Sequence, residues 1–143
     1  MTREQKYPST KTFHFHNANP KNRITTDCVI RAICTALEQD YNVTVMELAA
    51  LQCETGYDDG DKKLYDTYLQ GKGFIKKSQP RKRDNTKYTG KDFCKKLADP
   101  LKRYVANLGG GHVVAIVNCR VWDTWDSTDG CIGNYWEREV IKQ

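Results

Sequence analysis

Apolar positions recur at helical spacing through the first two-thirds of the chain. They then give way to short apolar runs and alternation. Residues 1–22 are polar, with Pro8, Asn17, Asn19, Pro20 and Asn22, and read as a partly flexible N-terminal segment. Within it Thr12-Phe13-His14-Phe15-His16 alternates with period two and predicts a short strand. A helix is expected from Thr26 or Asp27, either able to act as N-cap, to about Gln39, carried by Ala32, Ile33, Ala36 and Leu37. A second is expected from Thr44, where Thr44-x-x-Glu47 reads as a capping box, to about Cys53. A third runs from Asp59 to Gln70 and is stopped by Gly71 and Gly73. Residues 76–87 read as an exposed basic loop. Thr89 opens a short helix, Gly90 to about Ala98, that ends before Pro100. Strands are expected at Tyr104-Val105-Ala106, Val113 to Val117, Arg120-Val121-Trp122 and Glu139-Val140-Ile141. Helices first and strands after predict an α+β fold, with N-terminal helices packed on a C-terminal antiparallel sheet.

Length and charge narrow this picture. The chain has 143 residues, 23 Lys plus Arg against 18 Asp plus Glu, and a net charge of +5. That length fits one domain, residues 1–143, which buries about two-thirds of its surface without a metal or disulfide. No apolar run approaches the ~18 residues of a membrane helix, and no signal core follows Met1. The expectation is a cytoplasmic protein with no membrane partner. Six cysteines lie at 28, 34, 53, 94, 119 and 131, with no C-x-x-C pair. Neither a zinc site nor a disulfide framework is expected from that spacing, and no cofactor is implied.

One cysteine has a special position. On a helical wheel Val29, Ile30, Ile33, Cys34 and Leu37 form the apolar stripe, whereas Cys28 falls opposite, beside Ala32 and Thr35. A helix N-terminus carries partial positive charge and unpaired N–H groups, which lower a thiol pKa and can hold an oxyanion. Asp27 would oppose that effect if it faced the thiol, and would not as an N-cap. A lone cysteine at a helix start is more often structural than reactive.

His14 and His16 lie in the polar strand candidate and read as solvated. His112 follows Gly109-Gly110-Gly111 and opens the apolar run Val113 to Val117. Three glycines allow close backbone approach or positive φ; the plain alternative is a flexible turn. A tight turn is expected at Asn118-Cys119 or Cys119-Arg120. With the first, His112 lies opposite Trp125 and Asp123 is one diagonal away on the same face, and moving the turn by one residue leaves that face unchanged. Asp126 then points to the other face unless a bulge intervenes. Asp123 and Asp126 both remain candidates for orienting the imidazole. Trp122, Trp125, Tyr135 and Trp136 can line a cleft or anchor the sheet.

Taken together, Thr25-Thr26-Asp27-Cys28-Val29-Ile30-Arg31-Ala32, Gly110-Gly111-His112-Val113-Val114-Ala115 and Trp122-Asp123-Thr124-Trp125-Asp126 resemble the papain-like cysteine peptidase superfamily. The likeness is to its small bacterial and phage-type branch, with the layout of bacteriocin leader-processing peptidases. The resemblance implies Cys28 as nucleophile, His112 as general base and Asp123 as orienting carboxylate. It assigns the oxyanion position to Asn22, six residues before Cys28, where the superfamily usually has Gln. Gly111, Trp125 and Asp126 would then border the substrate. The implied activity is a cysteine-dependent peptidase, isopeptidase or amidase working through a thioacyl intermediate. Its partner would be a protein or peptide, and the basic loop could select an acidic one.

Three other readings stay open. The basic stretch could bind nucleic acid, although +5 over 143 residues is modest and no binding motif accompanies it. A papain-like scaffold could also bind nucleic acid or an acidic partner without cutting. The same motifs would serve a transglutaminase-like acyltransferase.

Overall fold

The computed structural model describes residues 1–140. Its elements are α1 (Arg3–Lys6), β1 (Phe13–Phe15), α2 (Cys28–Leu37), α3 (Tyr41–Thr55), α4 (Lys62–Gly71), β2 (Ile75–Lys77), α5 (Gly90–Lys96), β3 (Lys102–Leu108), β4 (His112–Val117), β5 (Arg120–Asp123) and β6 (Ile132–Glu139). The α+β class is observed, as one six-stranded sheet in the order β1-β5-β4-β3-β6-β2.

Apolar side chains on both faces fix the layers. Strand β4 buries Val113 and Ala115 toward one side and Val114 and Ile116 toward the other, because successive strand residues point to opposite faces. The first pair packs with Ala32, Ile33 and Ala36 of α2, Leu48 of α3, and Tyr65 and Tyr68 of α4. The second packs with Phe93 and Cys94 of α5, and with Tyr104, Ala106 and Val121. A strand covered on both faces reads as a continuous apolar run, the pattern that marks Val113 to Val117 in the sequence.

The sheet is mixed rather than antiparallel. β1 pairs parallel with β5 through Phe13 opposite Val121 and Phe15 opposite Asp123. Bonds from Val121 N–H to the Thr12 carbonyl (2.8 Å) and from His16 N–H to the Asp123 carbonyl (2.9 Å) extend this pairing. Phe13 is fully buried, so the N-terminal segment is anchored in the sheet rather than loose. His14 and His16 are correspondingly not simply solvated: their rings lie 4.2 and 5.1 Å from the Trp122 ring.

Local chemistry moved several boundaries. Helix α3 starts three residues before Thr44, because the Asp40 carboxylate accepts the Val43 N–H and caps it. Thr44 is inside the helix, fully buried, donating to the Asp40 carbonyl and accepting from Gln39. Glu47 accepts from the Tyr68 hydroxyl instead of closing a capping box. Helix α4 starts at Lys62, behind the Asp61 cap, rather than at Asp59. Residues 75–77 form the edge strand β2, so the basic loop begins within the sheet. Strand β6 runs from Ile132, well before the expected Glu139; Val140 lies outside it, and Ile141 lies outside the described residues. No helix among the described residues is long and apolar enough to cross a membrane.

Candidate functional site

The hairpin β4–β5 closes through Asn118 and Cys119, both with positive φ (54° and 60°), the geometry of a two-residue hairpin turn. This turn pairs Val117 with Arg120 and Ala115 with Trp122. Asp123 ends β5 at the open end of the hairpin, and Trp125 lies past the strand in a bend with its ring beside that of His112.

There His112 Nε2 lies 2.6 Å from Asp123 Oδ2. Trp125 covers the imidazole, with ring centroids 5.3 Å apart and planes tilted by 37°. Asp123 is 1% exposed and also accepts from Ser127 Oγ (2.7 Å), Thr124 N–H (2.7 Å) and Arg31 Nη1 (3.1 Å). Burial raises its pKa, but the bond and charge of His112, with Ser127 and Thr124, hold it below the usual carboxylate value.

Cys28 is the first residue of α2, which places it at the positive end of that helix. Strand β4 lies against it, and His112 and the Val113 N–H both favour the ionised form of its sulfur. Since Nε2 faces Asp123, Nδ1 is the ring nitrogen left for the thiol. Burial opposes ionisation of Cys28, yet the His112 and Val113 bonds and the charges of His112 and Arg31 bring its pKa below the ordinary thiol value. His112 responds in the opposite sense. Burial lowers its pKa, but bonds and charge from Asp123 and Cys28 raise it to about 9. The arrangement favours a thiolate beside an imidazolium. By contrast, burial pushes Cys34 to about 11 and Cys94 to about 12.

The wheel placed Ala32 with Cys28 on an unpacked side, and this is corrected by β4. Ala32 is buried, and Cys28 packs at the margin of the same cluster. Helix α2 is covered over more of its circumference than its apolar stripe indicates, because a small side chain at 32 lets the strand approach.

Asp27 is the N-cap residue but makes no side-chain capping bond. Its carboxylate accepts from Arg31 Nε (2.8 Å), the Tyr41 hydroxyl (2.7 Å) and Asn19 Nδ2 (3.3 Å). Burial raises its pKa, and these donors outweigh burial and keep it below the usual carboxylate value. The negative charge next to the thiol is therefore matched by Arg31, and the helix N–H groups are not taken by Asp27.

The remaining sequence candidates fall differently. Asp126 Oδ1 accepts from the Thr128 N–H (3.1 Å) and hydroxyl (2.6 Å), so Asp126 shapes the following turn and does not hold the imidazole. Asn22 is exposed with φ of 54°; its N–H donates to the Asn19 carbonyl and its Oδ1 accepts from Asn17. None of these bonds reaches Cys28. Gly111 borders two cavities, of about 480 and 540 Å³, one on the His112 side and one beside Tyr65 and Asn107. Among the described residues no group of three or more His, Cys, Asp or Glu is placed to hold a metal ion.

Sequence reasoning missed Arg31 and Ser127. The i, i+4 spacing of Asp27 and Arg31 was a usable signal for the first pair. Nothing in the sequence tied either Arg31 or Ser127 to Asp123. No protein-family model, curated protein or solved structure matches the chain.

Proposed function

We propose that the chain is a cysteine-dependent amide hydrolase, a peptidase, isopeptidase or amidase on a papain-like scaffold, with Cys28 as nucleophile, His112 as general acid and base, and Asp123 as the orienting carboxylate. One observation carries this reading. A thiol at a helix N-terminus has its pKa lowered by a neighbouring imidazole, and that ring's Nε2 lies 2.6 Å from a buried carboxylate.

The chemistry follows from that row. The Cys28 thiolate attacks the amide carbon, and the carbonyl π pair moves onto oxygen. The Cys28 backbone N–H at the uncapped helix start is positioned to receive that oxyanion. Collapse breaks the C–N bond, and His112 Nδ1 gives its proton to the departing amine. A thioester on Cys28 remains. Neutral His112 then takes a proton from water, whose oxygen attacks the thioester; the acid leaves and the thiolate is restored. Asp123 keeps the ring in one tautomer throughout, and Arg31 and Ser127 keep Asp123 in place. An amine in place of that water would make the outcome acyl transfer.

Iodoacetamide labelling at pH 6, read site by site by mass spectrometry, tests the reading. Cys28 is expected to react at least tenfold faster than the other five cysteines, and Cys28→Ala and His112→Ala are expected to abolish peptide hydrolysis. Equal labelling of Cys28 and exposed Cys53 would sink the proposal.

A further inference from the structure

Two cavities flank the triglycine loop, share Gly109 and Gly111, and carry opposite charge. The 480 Å³ cavity includes His112, Trp125, Asp126 and Asp129 in its walls and, among the described residues, no Lys or Arg. The 540 Å³ cavity includes Lys62 and Lys87 and, among the described residues, no Asp or Glu.

Carboxylate and aromatic groups in the first cavity are free to take a ligand. Asp126 spends Oδ1 on Thr128, leaving Oδ2 with no hydrogen bond among the described residues. Asp129 touches Lys91 Nζ at 3.5 Å, but its side chain is 95% exposed, so solvent screens that pair. Trp125 is 39% exposed. Trp122 and Trp136 donate their indole N–H groups to the Val117 carbonyl and Asp66, whereas Trp125 has no acceptor among the described residues. An aromatic face beside two carboxylates is suited to a cation. The charge of His112 in the same wall is matched by Asp123.

We propose that this cavity receives a Lys or Arg side chain on the amine side of the cleaved amide, held between the Trp125 ring and the carboxylates of Asp126 and Asp129. The assignment rests on the hydrolase reading, because the departing amine must reach His112 to be protonated, so the substrate portion beside that ring belongs to the amine. Across the glycine loop, Lys62 and Lys87 form no ion pair among the described residues and would repel a cation, which makes the preference one-sided.

The test is a titration of the whole protein with argininamide and with neutral, near-isosteric citrullinamide. The Trp125 indole N–H resonance, assigned with Trp125→Phe, reports binding. Argininamide is expected to shift it saturably and to bind at least tenfold more tightly than citrullinamide. Asp126→Asn/Asp129→Asn, which keeps an oxygen for Thr128, is expected to cut argininamide affinity at least fivefold, as is 0.5 M NaCl on the unaltered protein. Equal affinity for the two amides, or an unchanged shift in the charge-neutralised variant, would overturn the assignment. Cys28 does not react in this titration. Failure here removes the cation site and leaves the hydrolase reading standing, while slow Cys28 alkylation at pH 6 does the reverse.

Discussion

Arg31 and Asp123 are 92 positions apart in sequence, yet Arg31 Nη1 lies 3.1 Å from Asp123 Oδ1 while Nε of the same guanidinium holds Asp27 at 2.8 Å. One planar cation thereby links the residue before the nucleophile to the carboxylate that orients the imidazole. Both ends of this bridge are shielded from water, with side-chain exposures of 10% for Arg31, 7% for Asp27 and 1% for Asp123.

Removing the guanidinium strands two buried carboxylates. Arg31→Met is expected to cost about 3–5 kcal/mol, the usual penalty for breaking a buried ion pair by deleting one partner. Arg31→Lys should recover only part, since a single ammonium lacks the fork that spans two acids. Urea unfolding followed by tryptophan fluorescence measures both; a loss below about 1 kcal/mol for Arg31→Met would contradict the bridge.

The paired shifts of His112 and Asp123 set a pH window for stability. A raised histidine pKa stabilises the fold fully below its unfolded value near 6.5, and that contribution is lost as pH climbs through about 9. The depressed pKa of Asp123 contributes above the ordinary carboxylate value and is lost as pH falls through the lower folded one. The urea midpoint is therefore expected to be highest near pH 6, to decline as pH rises from about 6.5 to about 9, and to fall again in acid. In His112→Ala the alkaline fall should flatten.

Thiol reactivity should report the same pair. In His112→Ala the pH midpoint for Cys28 alkylation is expected to move up toward the ordinary thiol value of about 8.5. Loss of the orienting carboxylate in Asp123→Ala should raise that midpoint by less, while hydrolysis falls by roughly two to four orders of magnitude. Identical alkylation profiles in the two variants and the unaltered protein would show that the imidazole does not act on the sulfur.

Gly90 supports the site from behind. A Cβ there would meet Thr128 Cα at 3.2 Å and Thr128 O at 3.3 Å, in a place pinned by the bond from Gly90 N–H to the Gly130 carbonyl and from Lys91 N–H to the Thr128 carbonyl. Gly90→Ala is expected to cost about 1–3 kcal/mol, as overpacking does, and to loosen the turn that brings Ser127 to Asp123. Thermal unfolding of this variant beside Gly56→Ala, where a Cβ meets nothing but φ is +77°, separates crowding from backbone strain.

Local pattern alone determined much of this protein. The covered strand at Val113 to Val117, the helix opening at Cys28, the Thr89 cap and the hairpin register that joins His112 to Asp123 all depend on near neighbours, so periodicity and turn chemistry reveal them. The parallel docking of β1 on β5, the cover that β4 lays over Cys28 and Ala32, and the guanidinium bridge from Asp27 to Asp123 were decided only in three dimensions. These contacts join residues far apart along the chain, and their energy comes from burial and charge matching between surfaces that exist only after folding. Asp126 shows the same division: spacing made it a rival to Asp123, and the turn that consumes its Oδ1 on Thr128 gave the imidazole to Asp123.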